Sequence, residues 1–342
     1  MPAKKKSKNA LPATLVEAVR YFSDLDVATE FIAKLRWPDG PACPECGGKE
    51  HSYLTTRRLW KCKACKKQFS VKKGTIFEDS PIPLDKWLVA IWMVANCKNG
   101  VSSLELHRAV GITQKSAWFV LHRIRLAMQT GSFEKYSNKF DGAVEVDETY
   151  IGGKARNMNA ARRRRWEAEG GKNGPFGGKT GVLGFKQRDG QLAVTVVEDR
   201  DADNLQRQVR KHVKPDATVI TDELASYRGL DAQYQHKVIN HAERYVNGQV
   251  HTNGIENFWS LLKRGLGGTY VSVRPYHLHR YLDEQVFRYN KRDLADLERL
   301  QGVLQNTDGK RVTYKDLTGK NRKPEPPKPT PRRPRSFPMG PF

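Results

Sequence analysis

The stretch His251-Thr-Asn-Gly-Ile-Glu-Asn-Phe-Trp-Ser-Leu-Leu-Lys-Arg264 reads as a loop entering an amphipathic helix. Ile255, Phe258, Trp259 and Leu262 recur at i, i+3, i+4 and i+7, which makes one apolar face. Glu256, Ser260 and Lys263 fall at i, i+4 and i+7 on a neighbouring face. A carboxylate therefore stands in the first turn and a cation about two turns later, both beside a face that must pack. Two strand-like segments upstream also end in acids, Val144-Glu-Val-Asp-Glu148 and Val219-Ile-Thr-Asp-Glu223. Carboxylates from three separate elements, brought together, would make a metal site.

Around that helix the pattern alternates between strand and helix. Ala143 to Ile151 alternates like a strand, with Val144 and Val146 on one side and Glu145 and Asp147 on the other. Val182 to Lys186 and Leu192 to Glu198 read as a hairpin about Asp189-Gly190. Asn204 to Val213 reads as a helix, and Thr218 to Asp222 as a buried strand closed by an acid. A short strand over 236–240, the opening helix and a helix over 276–292 complete the set. This order predicts an α/β domain over 140–300, a mixed sheet flanked by helices. Within it, 152–181 is a basic, glycine-rich insertion that includes Arg162 to Arg165, a long loop or partly helical segment.

The front of the chain carries a different signal. Cys43, Cys46, Cys62 and Cys65 form C-x2-C-x15-C-x2-C, inside zinc-ribbon spacing. Each pair can turn two thiolates toward one tetrahedral ion, and four Cys close its coordination, so a Zn2+ here is structural. Tyr53 to Thr56 and Leu59 to Lys61 read as a hairpin within this ribbon, taken as 39–78. The ribbon is preceded by a basic lead over 1–13 and by short helices over 14–38, with Asp26 a candidate cap. Pro83 to Cys97 is a strong helix, and Cys97 at its end reads as a buried free thiol. Ser102 to Gly111, then a second helix capped by Thr113, has the helix-turn-helix layout within a helical region over 79–130. An ordinary helical hairpin has the same spacing. Lys115, Arg123 and Arg125 are the candidate DNA contacts on the second helix, and Lys263 and Arg264 the candidate phosphate contacts beside Glu256. A solvated basic face is the alternative for the last two.

Charge supports a nucleic-acid reading. Sixty Lys and Arg stand against 37 Asp and Glu, a net charge of +23, which favours a polyanionic partner. The longest apolar run, Trp87 to Cys97, is too short to span a membrane, and the basic start lacks a signal-type apolar core. No membrane partner and a cytoplasmic, nucleoid-associated location are expected. The cysteine pairing suggests metal rather than disulfides in a reducing compartment. Residues 301–342 form a basic tail; its stretch from Lys320 is rich in proline.

On pattern alone the first carboxylate is open. Glu145 shares a face with Asp147, Glu148 faces away, and Glu223 adjoins Asp222. Several motifs together narrow the choice: Val146-Asp-Glu-Thr-Tyr-Ile-Gly-Gly-Lys154, Thr221-Asp-Glu-Leu-Ala-Ser-Tyr227, Asn240-His241, the opening stretch, and Tyr281-Leu-Asp-Glu-Gln-Val-Phe-Arg-Tyr-Asn290. From about residue 25 to 320 the chain resembles DDE transposases of bacterial insertion sequences, the ISXO-type group with a zinc ribbon and a helical DNA-binding region. The resemblance implies an RNase-H-like catalytic domain with Asp147, Asp222 and Glu256 as catalytic, metal-binding residues. It also implies two Mg2+ or Mn2+ ions, double-stranded DNA ends and target as substrates, and a homo-oligomer on DNA. Cleavage by water and attack of the freed 3′-OH on target DNA are the expected chemistry. A domesticated DNA-binding regulator and a nuclease without strand transfer are the competing functions.

Overall fold

Leu84–Asn96 (α3) shows why the front half folds as it does. Leu84, Trp87, Leu88, Ala90, Ile91, Trp92, Val94 and Ala95 are all buried, so this helix is enclosed on several sides. The computed structural model describes residues 10–129, 139–168, 177–188, 190–197, 201–222, 225–239 and 251–319. Glu223, Asp189, Asn240, His241, most of the basic lead and the proline-rich stretch beyond 319 lie outside the described residues.

Around α3 pack α1 (Leu15–Phe22), α2 (Leu25–Arg36), α4 (Ser103–Val110) and α5 (Gln114–Ala127). Asp24, rather than Asp26, caps α2, its side chain accepting from the Asp26 amide at 2.8 Å. Asp26 sits in the first turn and pairs with Arg58 of the ribbon at 2.6 Å. The ribbon is a three-stranded antiparallel sheet of β1 (His51–Leu54), β2 (Leu59–Cys62) and β3 (Gln68–Phe69). Trp60 and Phe69 turn its apolar face onto Trp37 and join the helical core. Cys97 is exposed, not buried as expected, because it follows the last turn of α3.

The second core belongs to a five-stranded mixed sheet ordered β6-β5-β4-β7-β8. Its strands are β4 (Ala143–Ile151), β5 (Thr180–Gln187), β6 (Leu192–Val197), β7 (Thr218–Asp222) and β8 (Gln235–Ile239). β4, β5 and β6 pair antiparallel, whereas β4 with β7 and β7 with β8 pair parallel. A short exposed helix, α6 (Ala160–Ala168), lies in the basic insertion. One face of the sheet carries α7 (Ala202–His212), with Val144, Val146, Phe185 and Val219 meeting Leu205 and Val209. The other carries α8 (Asn253–Gly268) and α9 (Leu278–Asn290), with Val182, Leu192 and Val194 meeting Ile255, Phe258, Trp259 and Leu262. Burying each of those four α8 side chains contributes about 1.5–3 kcal/mol.

The boundary expected at residue 300 falls inside a helix. α10 (Asp296–Leu304) crosses it and packs on α3, placing Leu300, Val303 and Leu304 in the helical core. A deeper link is ionic. Arg125 of α5 donates Nε–H to Glu284 of α9 at 2.6 Å, and Arg288 and Tyr270 also hydrogen-bond Glu284. Burial would push the Glu284 carboxyl up, but Arg288 and Arg125 outweigh it and hold it down to about 2. The chain divides after Arg311, and the part beyond contributes α11 (Tyr314–Thr318), capped by Thr313.

Candidate functional site

Two places in the chain gather ligand-type side chains. In the ribbon, Cys43 and Cys46 stand in one turn and Cys62 and Cys65 in another, tied by Gly47 N–H to Cys43 O and Cys62 N–H to Lys67 O. The sulfurs of Cys43 and Cys65, and of Cys46 and Cys62, lie 3.6 Å apart. A tetrahedral zinc with Zn–S near 2.3 Å sets its sulfurs roughly 3.8 Å apart, so the spacing fits. The Cys65 amide donates to the Cys62 sulfur and, against burial, holds that thiol down to about 7. Among the described residues, these cysteines are the one group of three or more Cys, His or acid side chains whose ligand atoms all lie within 4.8 Å of one another.

The carboxylates are arranged differently. Strand alternation turns Glu145 and Asp147 toward α8. Asp147 pairs across β5 with Gly184, where a Cβ would come within 2.8 Å of Ile255 and Trp259. The glycine thus lets α8 sit directly on the sheet beside the acid. Trp259 Nε1–H then donates to Asp147 Oδ2 at 2.9 Å, and the Glu148 amide donates to Oδ1 at 2.8 Å. On the parallel neighbour, Ala143 pairs with Thr218 and Glu145 with Ile220. Carrying that register two residues onward sets Asp222, at the end of β7, beside Asp147. Glu256 stands in the first turn of α8, where the buried Thr252 hydroxyl donates to its Oε1 at 2.7 Å. The three acids do not form a closed cluster of the cysteine kind.

The rival acids are engaged elsewhere. Glu145 is 2% exposed, and its Oε2 accepts the Ile255 amide at 2.8 Å. Glu148 points to the opposite face, as alternation predicts, and accepts the Tyr227 hydroxyl at 2.7 Å. Electrostatics mark Asp147: burial, then Glu148 and Asp222, push its carboxyl up to about 7, with the Trp259 N–H opposing. A desolvated carboxyl beside two other acids is relieved by a cation, and hard oxygen donors suit Mg2+ or Mn2+.

The DNA-contact candidates separate by exposure. Lys115, Lys263 and Arg264 are exposed. Arg123 and Arg125 are not, and this corrects the expectation that they reach DNA. Arg123 is 4% exposed and donates to the carbonyls of Ile76 and Glu78, each at 2.7 Å. Arg125 is 1% exposed, pairs with Glu284 and lies 3.8 Å over the Tyr281 ring. The cause is the environment of α5, which packs on α3, α4 and α9, leaving its N-terminal turn open. The turn before it has the expected chemistry: Gly111 is left-handed at φ 61° and Thr113 accepts from the Ser116 amide.

Sequence reasoning overlooked Gly184, Thr252 and Tyr227. Gly184 was visible as the glycine inside an apolar strand, a sign of close approach. Trp259, read as core, is core and a donor to Asp147 as well. Thr252 and Tyr227 stand inside the quoted motifs but with no role assigned, because their partners lie on other elements or at helical spacing shared by ordinary contacts.

Comparison with known proteins agrees with both halves. Residues 139–290 match the ISXO2-like transposase domain, and residues 24–68 match the transposase zinc-ribbon domain. The chain is also 26% identical over 274 residues to an uncharacterized protein in transposable element ISH50 of Halobacterium salinarum, covering 76% of this chain and 91% of that relative. No described helix is long and apolar enough to cross a membrane. By these matches the chain carries a transposase zinc ribbon ahead of an ISXO2-like transposase domain, the arrangement of an insertion-sequence transposase.

Proposed function

We propose that this transposase cuts and joins DNA at the face of the sheet covered by α8, using Asp147, Asp222 and Glu256 in an RNase-H-like domain. The observation that supports the reading is the parallel register of β4 and β7, which, continued two residues past its last pair, Glu145 with Ile220, brings Asp222 level with Asp147 on the side of α8. The strand order, three antiparallel strands followed by two parallel ones, supports the fold assignment.

In this reading the three acids hold two Mg2+ or Mn2+ ions. Such ions, when bound, activate the attacking oxygen and stabilise the leaving one. The chain's own contribution is placement. Trp259 and the Glu148 amide fix both oxygens of Asp147, each of which keeps a free lone-pair direction. Thr252 orients Glu256. Two in-line phosphoryl transfers follow, cleavage by water at the element end and attack by the freed 3′-OH on target DNA.

The ribbon cysteines hold a structural Zn2+. Lys115, at the exposed start of α5, faces DNA in the manner of a recognition helix, and Lys263 and Arg264 meet phosphates beside the site. Element ends and target are double-stranded DNA, and pairing of ends calls for a homo-oligomer. The test is a strand-transfer assay with the element's own ends and Mg2+. Wild-type protein forms joined products, and Asp222→Asn forms none. Full activity in Asp222→Asn would overturn the site, and cleavage by wild type without joining would identify a nuclease instead.

A further inference from the structure

We infer that Glu145 is a positioning residue: its buried carboxylate fixes the start of α8 and thereby the seat of Glu256. The inference rests on the metal-site reading above and adds to it a residue that does not itself hold metal.

The first amides of a helix lack intrahelical acceptors and are usually met by the side chain of the capping residue. In α8 the capping residue is Thr252, yet it makes no side-chain cap. Its hydroxyl is committed to Glu256 instead. Glu145 takes the vacant role from the sheet below, accepting the Ile255 amide at 2.8 Å. Its charge also suits the positive end of the helix.

The approach is close by construction. A Cβ on Gly254 would lie 2.7 Å from Glu145 Oε2, so any side chain at that position displaces the carboxylate. The other oxygen faces counter-charge from Arg188 at 3.7 Å and lies 3.6 Å from His251 Nδ1. Arg188 also donates to the His251 carbonyl at 3.3 Å, tying the residue just before the helix to the same group. Glu145 lies two positions from Asp147 on the same strand face. A single strand therefore sets both the first acid of the site and the origin of the helix carrying the third. A shift at Glu145 changes their separation while leaving the side chain of every proposed ligand intact.

The test is Mn2+ binding to the full zinc-loaded chain, followed by electron paramagnetic resonance of free Mn2+, alongside thermal melting. Glu145→Ala weakens Mn2+ binding on the order of ten-fold, the effect of losing a residue that orients a ligand. Glu145→Gln keeps an acceptor oxygen for the Ile255 amide and restores binding close to wild type. Gly254→Ala, which leaves the carboxylate present but displaces it, weakens binding in the same direction. Wild-type binding in both Glu145→Ala and Gly254→Ala would overturn the inference. So would Glu145→Gln binding as poorly as Glu145→Ala with an unchanged melt, which would make Glu145 a ligand. Asp222→Asn separates the two levels: if it binds Mn2+ like wild type, the metal-site reading fails, whatever the Glu145 variants do.

Discussion

The ribbon and the proposed catalytic face gather their ligand-type side chains in opposite ways. The four cysteine sulfurs already stand at metal spacing, supplied by two tight turns joined by a short hairpin. The acids come from β4, β7 and α8, and their arrangement depends on strand register, a glycine gap at Gly184 and the seating of a helix. A site made of local turns is closed and structural. A site assembled from distant elements costs solvation at Asp147 and, in the proposed reading, leaves coordination positions for substrate.

The largest effect expected from this contrast is on the ribbon. Removing zinc with a chelator, or replacing Cys62 with Ser, unfolds the ribbon, since structural zinc contributes about 10–16 kcal/mol in zinc-finger peptides. Metal analysis should find zinc bound to wild-type protein, and limited proteolysis should open the ribbon on its removal. Zinc-free protein with an intact, protease-resistant ribbon would break the comparison.

Next comes the buried link between the two halves. Glu284→Gln leaves Arg125 and Arg288 without their anionic partner and should cost about 3–5 kcal/mol in urea unfolding. Glu284 is held below its usual range, so its contribution is present above about pH 4.5 and disappears as pH falls through about 2. Wild type should therefore lose stability across that window, and Glu284→Gln should lack this part of the loss.

Asp147 has the opposite sign. Its carboxyl is raised from 3.8 to about 7, so the native state holds the proton more tightly than the unfolded chain. In divalent-free buffer this favours stability at acid pH and diminishes it as pH rises from about 4 to 7. Asp147→Asn should remove that slope and melt higher than wild type at pH 8, while forming no strand-transfer product. A lower melt would contradict the account of Asp147 as a desolvated acid awaiting a cation.

The smallest effects fall on exposed cations. Lys115→Ala and Lys263→Ala should each weaken DNA binding and reduce its salt slope by about one. Melting temperature should hardly change. Arg123→Ala and Arg125→Ala should instead lower the melt, because both side chains are interior partners.

These differences explain what was legible beforehand. The ribbon was readable because its ligands are adjacent in sequence and their spacing is itself the geometry. The mixed sheet and the face of α8 followed from periodicity at Val144, Val146, Ile255 and Trp259. The choice between Asp147 and Glu145 is not in the alternation, since both face α8; the family resemblance made it, and the different partners of the two carboxylates support it. The burial of Arg123 and Arg125 is hidden from the sequence for a related reason. A charge on a helix looks exposed until the elements enclosing it are known, and α9 comes from far along the chain.

The central claim is that Asp147, Asp222 and Glu256 share divalent metal, and anomalous scattering from Mn2+-soaked crystals tests it most directly. The account predicts a peak between the carboxylates of Asp147 and Asp222, on the α8 face of the sheet, with Glu256, oriented by Thr252, completing the site. A peak on the Glu148 and Tyr227 face, or none near Asp147, would contradict it.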